Sequence, residues 1–318
     1  MNEFLHVVAG VIYNAQNQVL IARRPKQTHQ GGLWEFPGGK CETGETPEQA
    51  LARELQEEID IVIQQSRPLI RIFHTYPDKK ILLDVFCVEQ WYGKAWGREG
   101  QAVQWCSPNL LKNNDFPAAN VPIITAIQLP FLYLITPEPA SLKEKTFFYR
   151  LEAALNQNIS LVQLRSKLLS ERDYCHYAEK VLTRCDRHHA QLLINADPKI
   201  ALSVGANGVH LNSQQLWAYT ERPLNTDLWV AASCHTDADI EQANRIGIDF
   251  IVLGSVQATL SHPEAQPLGW FKFFQLTEQA HCPVFALGGM KTDYMPQAWA
   301  HGAQGIAAIR ALFAPTKN

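Results

Sequence analysis

Apolar and polar residues follow one pattern up to about residue 130 and a different pattern after it. In the first part, β-rich apolar runs predict strands at residues 4–13, 19–24, 69–76, 80–90 and 103–107. Residues 14–17, between the first two runs, are typical of a hairpin turn. A closing helix is predicted at residues 121–129, where Pro122 suits the first turn.

After residue 130 a β-like run and a helix-like segment alternate eight times. The runs begin at Phe131, Ser160, Gln191, Gly208, Leu228, Asp249, Pro283 and Gly305. Residues 171–185 and 237–245, between such runs, have the apolar spacing of helices. Eight such units predict a compact (β/α)8 TIM barrel, so we expect two α/β domains, residues 1–129 and residues 130–318.

An acidic helix is predicted to begin just after a glycine-rich turn. Thr46 is a natural N-cap, and Gln49 occupies the place that a capping box requires. Farther along, Glu54, Glu57 and Glu58 fall three and four residues apart and project from one helix face. Such like charges repel by roughly 0.2–0.5 kcal/mol per pair, which favours a bound cation, with Mg²⁺ or Mn²⁺ suited to oxygen ligands. A solvated acidic face is the alternative.

The acidic residues belong to a longer pattern of spaced positions. These are Gly39, Glu45 after five residues, Arg53-Glu54 after seven more, and Glu57-Glu58. The pattern resembles the signature of the Nudix hydrolases, which cleave nucleoside diphosphates linked to another group. The resemblance implies an α/β/α sandwich for the first domain. Asp60 stands where a glycine is expected, but Asp tolerates a left-handed conformation, so the helix can still end there.

Composition and charge narrow the function classes. Hydrophobic residues make up 46% and charged residues 19% of the chain, as in folded proteins. A net charge of -3 gives no basic footprint for DNA or RNA binding. The seven cysteines form no CxxC pair, so we expect reduced thiols rather than disulfides or a zinc site. No signal-like N-terminus or membrane-length apolar run is present, so we expect a soluble, cytoplasmic protein without membrane contact.

The resemblance extends beyond the signature to nearly the whole first domain. The segments GGLWEFPGGK, ETGETPEQALARELQEE, WYGKAWGREGQ and DFPAANVPII resemble the MutT-type 8-oxo-dGTP diphosphatases. This resemblance implies that Glu99 supplies a metal contact or the general base, that Asn120 reads the purine edge, and that Arg23 lies beside the base. Alternatively, Glu99 is a plain loop carboxylate, Asn120 a helix cap and Arg23 a surface residue.

These residues together suit the hydrolysis of a triphosphate. We expect metal ligands at Gly38, Glu54, Glu57, Glu58 and Glu99, and catalytic roles for Arg53, Glu54, Glu57 and Glu99. Arg53 is expected to position Glu45 or other carboxylates, since a guanidinium does not act as an acid. By resemblance, water attacks the β-phosphorus and yields a nucleoside monophosphate and pyrophosphate.

Polar residues gather where the predicted barrel strands end. They are Gln163, Arg165, Lys167, Asn195, His210, Ser233, Gly288 and Gly289. The carboxyl ends of the strands form the catalytic face of such a barrel, although any single residue could be a plain rim group. This half resembles thiamine phosphate synthase and its relative, the thiazole tautomerase, in the segments LYLIT, VQLRSK, AASCHT, FALGGM and GAQGIAAI. The resemblance implies phosphate binding by Gln163, Arg165, Lys167, Asn195, Ser233, Gly288 and Gly289.

The barrel half departs from the synthase where charge is handled. The two Mg²⁺-binding aspartates of the synthase correspond to Ala196 and Gln215, and Asp197 alone does not replace them. The tautomerase's catalytic histidine falls at Ser255. The loop that contains His262 lacks the lysine that grips phosphate, and a lone loop histidine is more often structural or exposed. We therefore expect a phosphate-binding barrel without thiamine phosphate synthase activity.

Three functional hypotheses remain open. The favoured one is Mg²⁺-dependent hydrolysis of oxidised purine nucleoside triphosphates such as 8-oxo-dGTP, for which Glu57→Gln should abolish turnover without unfolding the protein. The second is hydrolysis of a thiamine-pathway pyrophosphate, with the barrel binding a related thiazole or pyrimidine phosphate, and Asn120→Ala should spare it. The third concerns the barrel alone, as a ligand-sensing or scaffolding module without catalysis.

Overall fold

The computed structural model describes residues 4–259 and 266–313. The chain divides into two compact units, Met1–Gln128 and Leu129–Asn318, so the division lies one residue before the junction expected from the sequence. Within the described residues, no helix is both long enough and apolar enough to cross a membrane. Each unit has its own buried core.

The N-terminal unit is built from sheets with a helix on either face. Its elements are β1 (Leu5–Ile12), β2 (Val19–Arg23), β3 (Trp34–Glu35), α1 (Pro47–Ile59), β4 (Ile61–Thr75), β5 (Lys80–Gly93), β6 (Val103–Cys106) and α2 (Val121–Gln128). Two sheets form in the orders β1-β5-β4 and β3-β2-β6, and β1 lies parallel to β5. Val8 and Phe86 pack with α1, whereas Ala9 and Val85 pack with α2. The expected α/β/α sandwich is confirmed.

One prediction about the strands of this unit holds in part, and another is wrong. The turn at residues 14–17 forms and is flanked by an antiparallel bridge between Tyr13 and Val19, but β1 and β2 do not pair further and lie in different sheets. β4 begins at Ile61 rather than at residue 69, and it pairs with β5 through register shifts around Pro68. A proline within an apolar run ordinarily argues against a strand, which explains why the first half of β4 was missed.

Helix α1 begins and ends where the sequence predicts. The Thr46 hydroxyl accepts from the Gln49 amide at 3.3 Å, and the Thr46 amide donates to Gln49 Oε1 at 2.9 Å, which completes a capping box. At the other end Asp60 has φ 59° and ψ 40°, the left-handed conformation, and its N–H donates to the Leu55 carbonyl. Leu51 and Leu55 are fully buried. The two ends and the buried side therefore fix which face carries the glutamates.

Replacing Thr46 with Ala is expected to destabilise α1 by about 1 kcal/mol, because the first turn loses its side-chain acceptor. Hydrogen exchange followed by mass spectrometry should show exchange of the α1 amides about fivefold faster. Thr43→Ala, an exposed threonine before the helix, is the matched control and should leave the rates unchanged. Equal rates in the two variants would mean that the capping box does not stabilise α1.

The C-terminal unit is a closed barrel of parallel strands. The strands are β7 (Leu132–Ile135), β8 (Leu161–Leu164), β9 (Gln191–Ile194), β10 (Gly208–Leu211), β11 (Trp229–Cys234), β12 (Phe250–Gly254), β13 (Val284–Leu287) and β14 (Gly305–Ala308). The helices are α3 (Glu144–Leu155), α4 (Glu171–Arg187), α5 (Pro198–Val204), α6 (Ser213–Ala218), α7 (Asp237–Ile246), α8 (Gly269–Thr277) and α9 (Met295–Ala300). Tyr133, Phe250 and Phe285 pack together inside the barrel. The TIM barrel prediction is confirmed.

Candidate functional site

Arg53 on α1 connects Glu45 with two carboxylates of the predicted catalytic set, Glu54 and Glu57. Its Nε and Nη2 donate to the two oxygens of Glu45 at 2.8 and 2.9 Å. Its Nη1 donates to Glu54 at 2.9 Å and to Glu57 at 3.3 Å. Nη2 also donates to the Lys40 carbonyl at 3.0 Å, which ties the helix to the glycine turn. Hydrogen bonds from Arg53 lower the pKa of Glu45 to about 2, so this carboxylate is ionised at neutral pH.

Glu58 lies outside this arginine network. Its Oε2 accepts from the Gly38 amide at 3.2 Å. Burial, together with the nearby carboxylates of Glu35, Glu54 and Glu99, raises the pKa of Glu58 to about 8, although the bond from Gly38 opposes the shift. Burial and these neighbouring carboxylates therefore favour the protonated form of Glu58.

The glycine turn allows the backbone to approach this helix closely. Gly38 has φ 150°, and a Cβ there would lie 2.1 Å from the Val8 carbonyl oxygen. A Cβ on Gly39 would lie 2.3 Å from the carboxylate of Glu54. The Gly38 carbonyl accepts no hydrogen bond from the described residues. The turn thus leaves a backbone acceptor free beside the Glu58 carboxylate, and Gly39 makes room for Glu54.

These groups fit a hard divalent cation. The glutamates at positions 54, 57, 58 and 99 and the Gly38 carbonyl offer oxygen donors alone, the set that Mg²⁺ and Mn²⁺ prefer. In the part of the chain that the structure describes, no group of three or more His, Cys, Asp and Glu side chains is already arranged around a metal position. Arg53 donates a hydrogen bond to Glu54 and another to Glu57.

The two residues predicted to contact a base lie in different elements. Arg23 ends β2, where its Nε donates to the Gly32 carbonyl at 3.0 Å and its guanidinium lies 5.2 Å from the centre of the Trp34 ring. Asn120 is half-buried just before α2, and its side chain makes no hydrogen bond to the described residues. The side-chain amide of Asn120 therefore does not cap helix α2.

In the C-terminal unit a cavity of about 1160 Å³ lies at the carboxyl ends of the strands. Its lining includes the predicted residues Gln163, Arg165, Lys167, Asn195, Ser233, Gly288 and Gly289. Gln163 is buried, and its Oε1 has no hydrogen-bond partner among the described residues. Asn195 Nδ2 donates to the His210 carbonyl at 2.7 Å, which orients its amide at the rim. The barrel thus brings residues from separate strands to one cavity.

His210 lies behind this cavity, buried between Tyr133 and Ser233. Its Nδ1 lies 3.1 Å from the Tyr133 hydroxyl, and its Nε2 lies 2.8 Å from Ser233 Oγ. Burial lowers the pKa of His210 to about 3, so the ring is neutral and has one donor and one acceptor nitrogen. The Tyr133 hydroxyl has no other partner in the described chain, so it donates to Nδ1, and Nε2–H donates to Ser233. The Ser233 proton is then available to a ligand.

The positions at which the barrel departs from the synthase do not assemble a metal site. Asp197 is the N-cap of α5, and its Oδ1 accepts from a backbone amide of that helix. Gln215 closes the capping box of α6, where its Oε1 accepts from the Asn212 amide at 3.0 Å. Ala196 has no side-chain donor atom, and His262 lies outside the described residues. Neither Asp197 nor Gln215 lines the cavity.

Three charged residues at these sites were not among the site residues predicted from the sequence. Glu35 pairs with Arg24, is partly buried, and contributes to the raised pKa of Glu58. Lys291 and Arg310 line the barrel cavity. Their positions offered a signal, since Glu35 lies within the segment GGLWEFPGGK and both cations closely follow the last two barrel strands.

Comparison with known families and proteins covers both units. A family model described as thiamine monophosphate synthase matches residues 132–312, and one described as NUDIX domain matches residues 8–126. The 8-oxo-dGTP diphosphatase of Escherichia coli (strain K12) is 44% identical over 124 residues, which are 39% of this chain and 96% of that protein. A putative thiamine-phosphate synthase 2 of Aquifex aeolicus (strain VF5) is 36% identical over 183 residues, 58% of this chain and 97% of that protein. A solved MutT structure, from work on Aliivibrio salmonicida and Vibrio cholerae, is 37% identical and covers 39% of this chain and 97% of its own, with a TM-score of 0.35.

The two family models and the two relatives agree with the motifs of the two domains. The barrel model spans more than half of the chain, and almost the whole length of the diphosphatase relative is covered. The fusion inferred from the sequence is confirmed. The chain belongs to the Nudix family through its MutT-type N-terminal hydrolase domain, and to the thiamine monophosphate synthase family through its C-terminal barrel.

Proposed function

We propose that the N-terminal domain hydrolyses oxidised purine nucleoside triphosphates in a Mg²⁺-dependent reaction, converting 8-oxo-dGTP to 8-oxo-dGMP and pyrophosphate. The observation that carries this proposal is the 44% identity to the Escherichia coli 8-oxo-dGTP diphosphatase over 96% of that protein. The arginine network adds support, because Arg53 holds Glu54 and Glu57 beside the glycine turn. Mn²⁺ has similar ligand preferences and is expected to replace Mg²⁺.

The proposed mechanism divides the work between metal ligands and positioning groups. Gly38, Glu54, Glu57, Glu58 and Glu99 would hold the cation, which when bound neutralises phosphate charge and makes a water more acidic. Arg53 sets the positions of Glu54 and Glu57, and Glu45 keeps Arg53 in place through its bidentate pair. Glu99, exposed in its loop, is the candidate general base or a further ligand.

Base recognition is assigned to two residues outside the catalytic helix. Asn120 is proposed to read the purine edge, since its amide offers both donors and an acceptor that the described residues leave unused. Arg23, stacked near Trp34, is proposed to lie against the bound base. Discrimination by a hydrogen-bonding side chain is strong because the wrong substrate leaves a polar group unpaired.

The barrel is proposed to bind a thiamine-pathway phosphate without acting as a thiamine phosphate synthase. Arg165 and Lys167 line its cavity, and the backbone at Gly288 and Gly289 adds amide donors. The residues at the synthase's metal positions are unsuited to that role, because Ala196 lacks a donor atom and Gln215 caps a helix. Pyrophosphate leaving the substrate would therefore lack its charge compensation.

The fusion of the two families in one chain favours a second candidate function. The Nudix domain would then hydrolyse a thiamine-pathway pyrophosphate, and the barrel would bind the related thiazole or pyrimidine phosphate. This alternative uses the same carboxylates and the same cation. It differs in the substrate group that would lie beside Asn120, because a thiamine-pathway pyrophosphate contains no purine for Asn120 to bind.

The test is pyrophosphate or phosphate release by the full-length protein from 8-oxo-dGTP, dGTP and thiamine-pathway pyrophosphates, with MgCl2 or with EDTA. We expect turnover in MgCl2 only, because the carboxylates need a cation to accept a polyphosphate. A strong preference for 8-oxo-dGTP supports the first function. Preference for the thiamine compounds would support the alternative, and turnover in EDTA would contradict both.

Asn120→Ala is expected to reduce the preference for 8-oxo-dGTP over dGTP about 10- to 100-fold, through loss of the proposed base contact. The ratio of the two kcat/KM values measures this preference. Asn114→Ala, an exposed residue of the same segment, is the control and should leave the ratio unchanged. An unchanged ratio in Asn120→Ala would place base recognition elsewhere.

A further inference from the structure

The mouth of the barrel cavity carries positive charge without a compensating negative charge. Arg165, Lys167, Lys291 and Arg310 line it, and no Asp or Glu occurs among its described lining residues. Within the described parts of the chain, none of these four cations forms an ion pair with a carboxylate. Uncompensated cations that share a concave surface attract an anion and repel a metal ion.

Two carboxylates that follow barrel strands already accept hydrogen bonds within the protein. Glu138 accepts from Ser166 Oγ at 2.5 Å and from the Lys167 amide at 2.7 Å. Asp197 caps α5, as described above for the synthase-like positions. Glu138 therefore orders the segment that carries Lys167, and neither carboxylate is among the described residues that line the cavity.

Neutral donors add to the cations at the same cavity. Ser233 lines the cavity, and its hydroxyl accepts from His210 Nε2–H when Tyr133 donates to Nδ1, so the hydroxyl keeps its own proton for a ligand. The amides of Gly288 and Gly289 donate to no described residue, and φ values of 98° and 68° require glycine at both positions. Gln163 is the exception, since its buried Oε1 is an acceptor without a partner in the described chain. A ligand is therefore expected to present an anion to the donors and a hydrogen-bond donor to Gln163.

We infer that the barrel binds a phosphorylated small molecule without a divalent cation, with Arg165, Lys167, Lys291 and Arg310 neutralising the phosphate in place of a metal. The neutral part of this ligand donates a hydrogen bond to Gln163. The inference rests on the phosphate ligand proposed for the barrel, and it specifies how the charge of that ligand is balanced.

Isothermal titration of the full-length protein with two probes tests this inference. The probes are inorganic phosphate and hydroxymethylpyrimidine phosphate, whose amino group can donate to Gln163. Both are expected to bind with the same affinity in EDTA and in MgCl2, and the pyrimidine phosphate is expected to bind more tightly. Added salt should weaken the binding of both probes, because dissolved ions screen the attraction between the exposed cations and the phosphate.

Arg165→Gln is expected to weaken both probes about 10- to 100-fold, the usual loss for a hydrogen bond to a charged group. Arg187→Gln, an exposed arginine on α4 that does not line the cavity, is the charge-matched control and should bind normally. Thermal unfolding establishes that both variants are folded.

Binding that requires MgCl2 would overturn the inference, as would binding of neither probe in either buffer. Equal losses in Arg165→Gln and Arg187→Gln would also contradict it, because the phosphate would then lie outside the cavity. Equal affinity for the two probes would contradict the proposed hydrogen bond from the ligand to Gln163. Pyrophosphate release from 8-oxo-dGTP is measured separately, so failure of the barrel inference and failure of the proposed hydrolysis are distinguished.

Discussion

Glu57→Gln is expected to reduce hydrolysis of 8-oxo-dGTP about 1000-fold, at the upper end of what one preorganised electrostatic group contributes. The substitution keeps the size of the side chain but removes its charge, so the proposed cation loses an ionised ligand. The side chain of Glu57 is 61% exposed, and its bond to Arg53 Nη1 is the longest of that network at 3.3 Å. Stability should therefore change by no more than about 0.5 kcal/mol. The measurements are kcat/KM and the melting temperature.

Glu48→Gln is the matched control for this substitution. Glu48 lies in the first turn of the same helix, is exposed, and makes the same change of charge when replaced. It should keep full turnover. Full turnover in Glu57→Gln would remove Glu57 from the proposed catalytic set. Loss of turnover together with a lowered melting temperature would indicate that the helix is damaged. That result would also count against a catalytic role for Glu57.

Local rules predict helix α1 well because each of its ends depends on a few neighbouring residues. Thr46 and Gln49 close the capping box that their spacing predicts. Asp60 adopts the left-handed conformation that its side chain tolerates, although the Nudix pattern has glycine there. The same helical spacing predicts that Glu54 and Glu58 share a face, and both lie against the glycine turn.

Non-local contacts were beyond the reach of sequence reasoning. The raised pKa of Glu58 depends partly on Glu35, which lies in a different element and is brought close only by folding. Arg53 was expected to position carboxylates, but its simultaneous contacts with Glu45 and the Lys40 carbonyl depend on the path of the turn. Register is equally non-local, since the register shifts between β4 and β5 depend on pairing across the sheet.

The barrel shows the same division between local and non-local information. Strand positions follow from short apolar runs, and the rule that strand ends form the functional face places Gln163, Asn195 and Ser233 at one cavity. The hydrogen bonds from Tyr133 through His210 to Ser233 were not expected, because they join residues of three strands. The orientation of the Ser233 hydroxyl could be deduced only once these contacts were known.

Gly39→Ala is expected to lower kcat/KM for 8-oxo-dGTP about 100-fold, through displacement of one carboxylate. A Cβ at this position would lie 2.3 Å from the carboxyl carbon of Glu54, which would have to leave the Nη1 group of Arg53. Unlike Gly38, Gly39 does not have a left-handed φ, so alanine is compatible with its backbone. The loss should therefore appear mainly in activity, with a smaller change in melting temperature.

A double-mutant cycle separates this explanation from general damage to the turn. Glu54→Gln alone should lose activity, since it removes the same ionised carboxylate. If Gly39→Ala acts by displacing Glu54, the double variant should be about as active as Glu54→Gln. In that case the carboxylate that Gly39→Ala would displace has already lost its charge in Glu54→Gln. Fully additive losses would mean that the two residues act independently. The close approach of helix and turn would then stabilise the fold without positioning the carboxylate for catalysis.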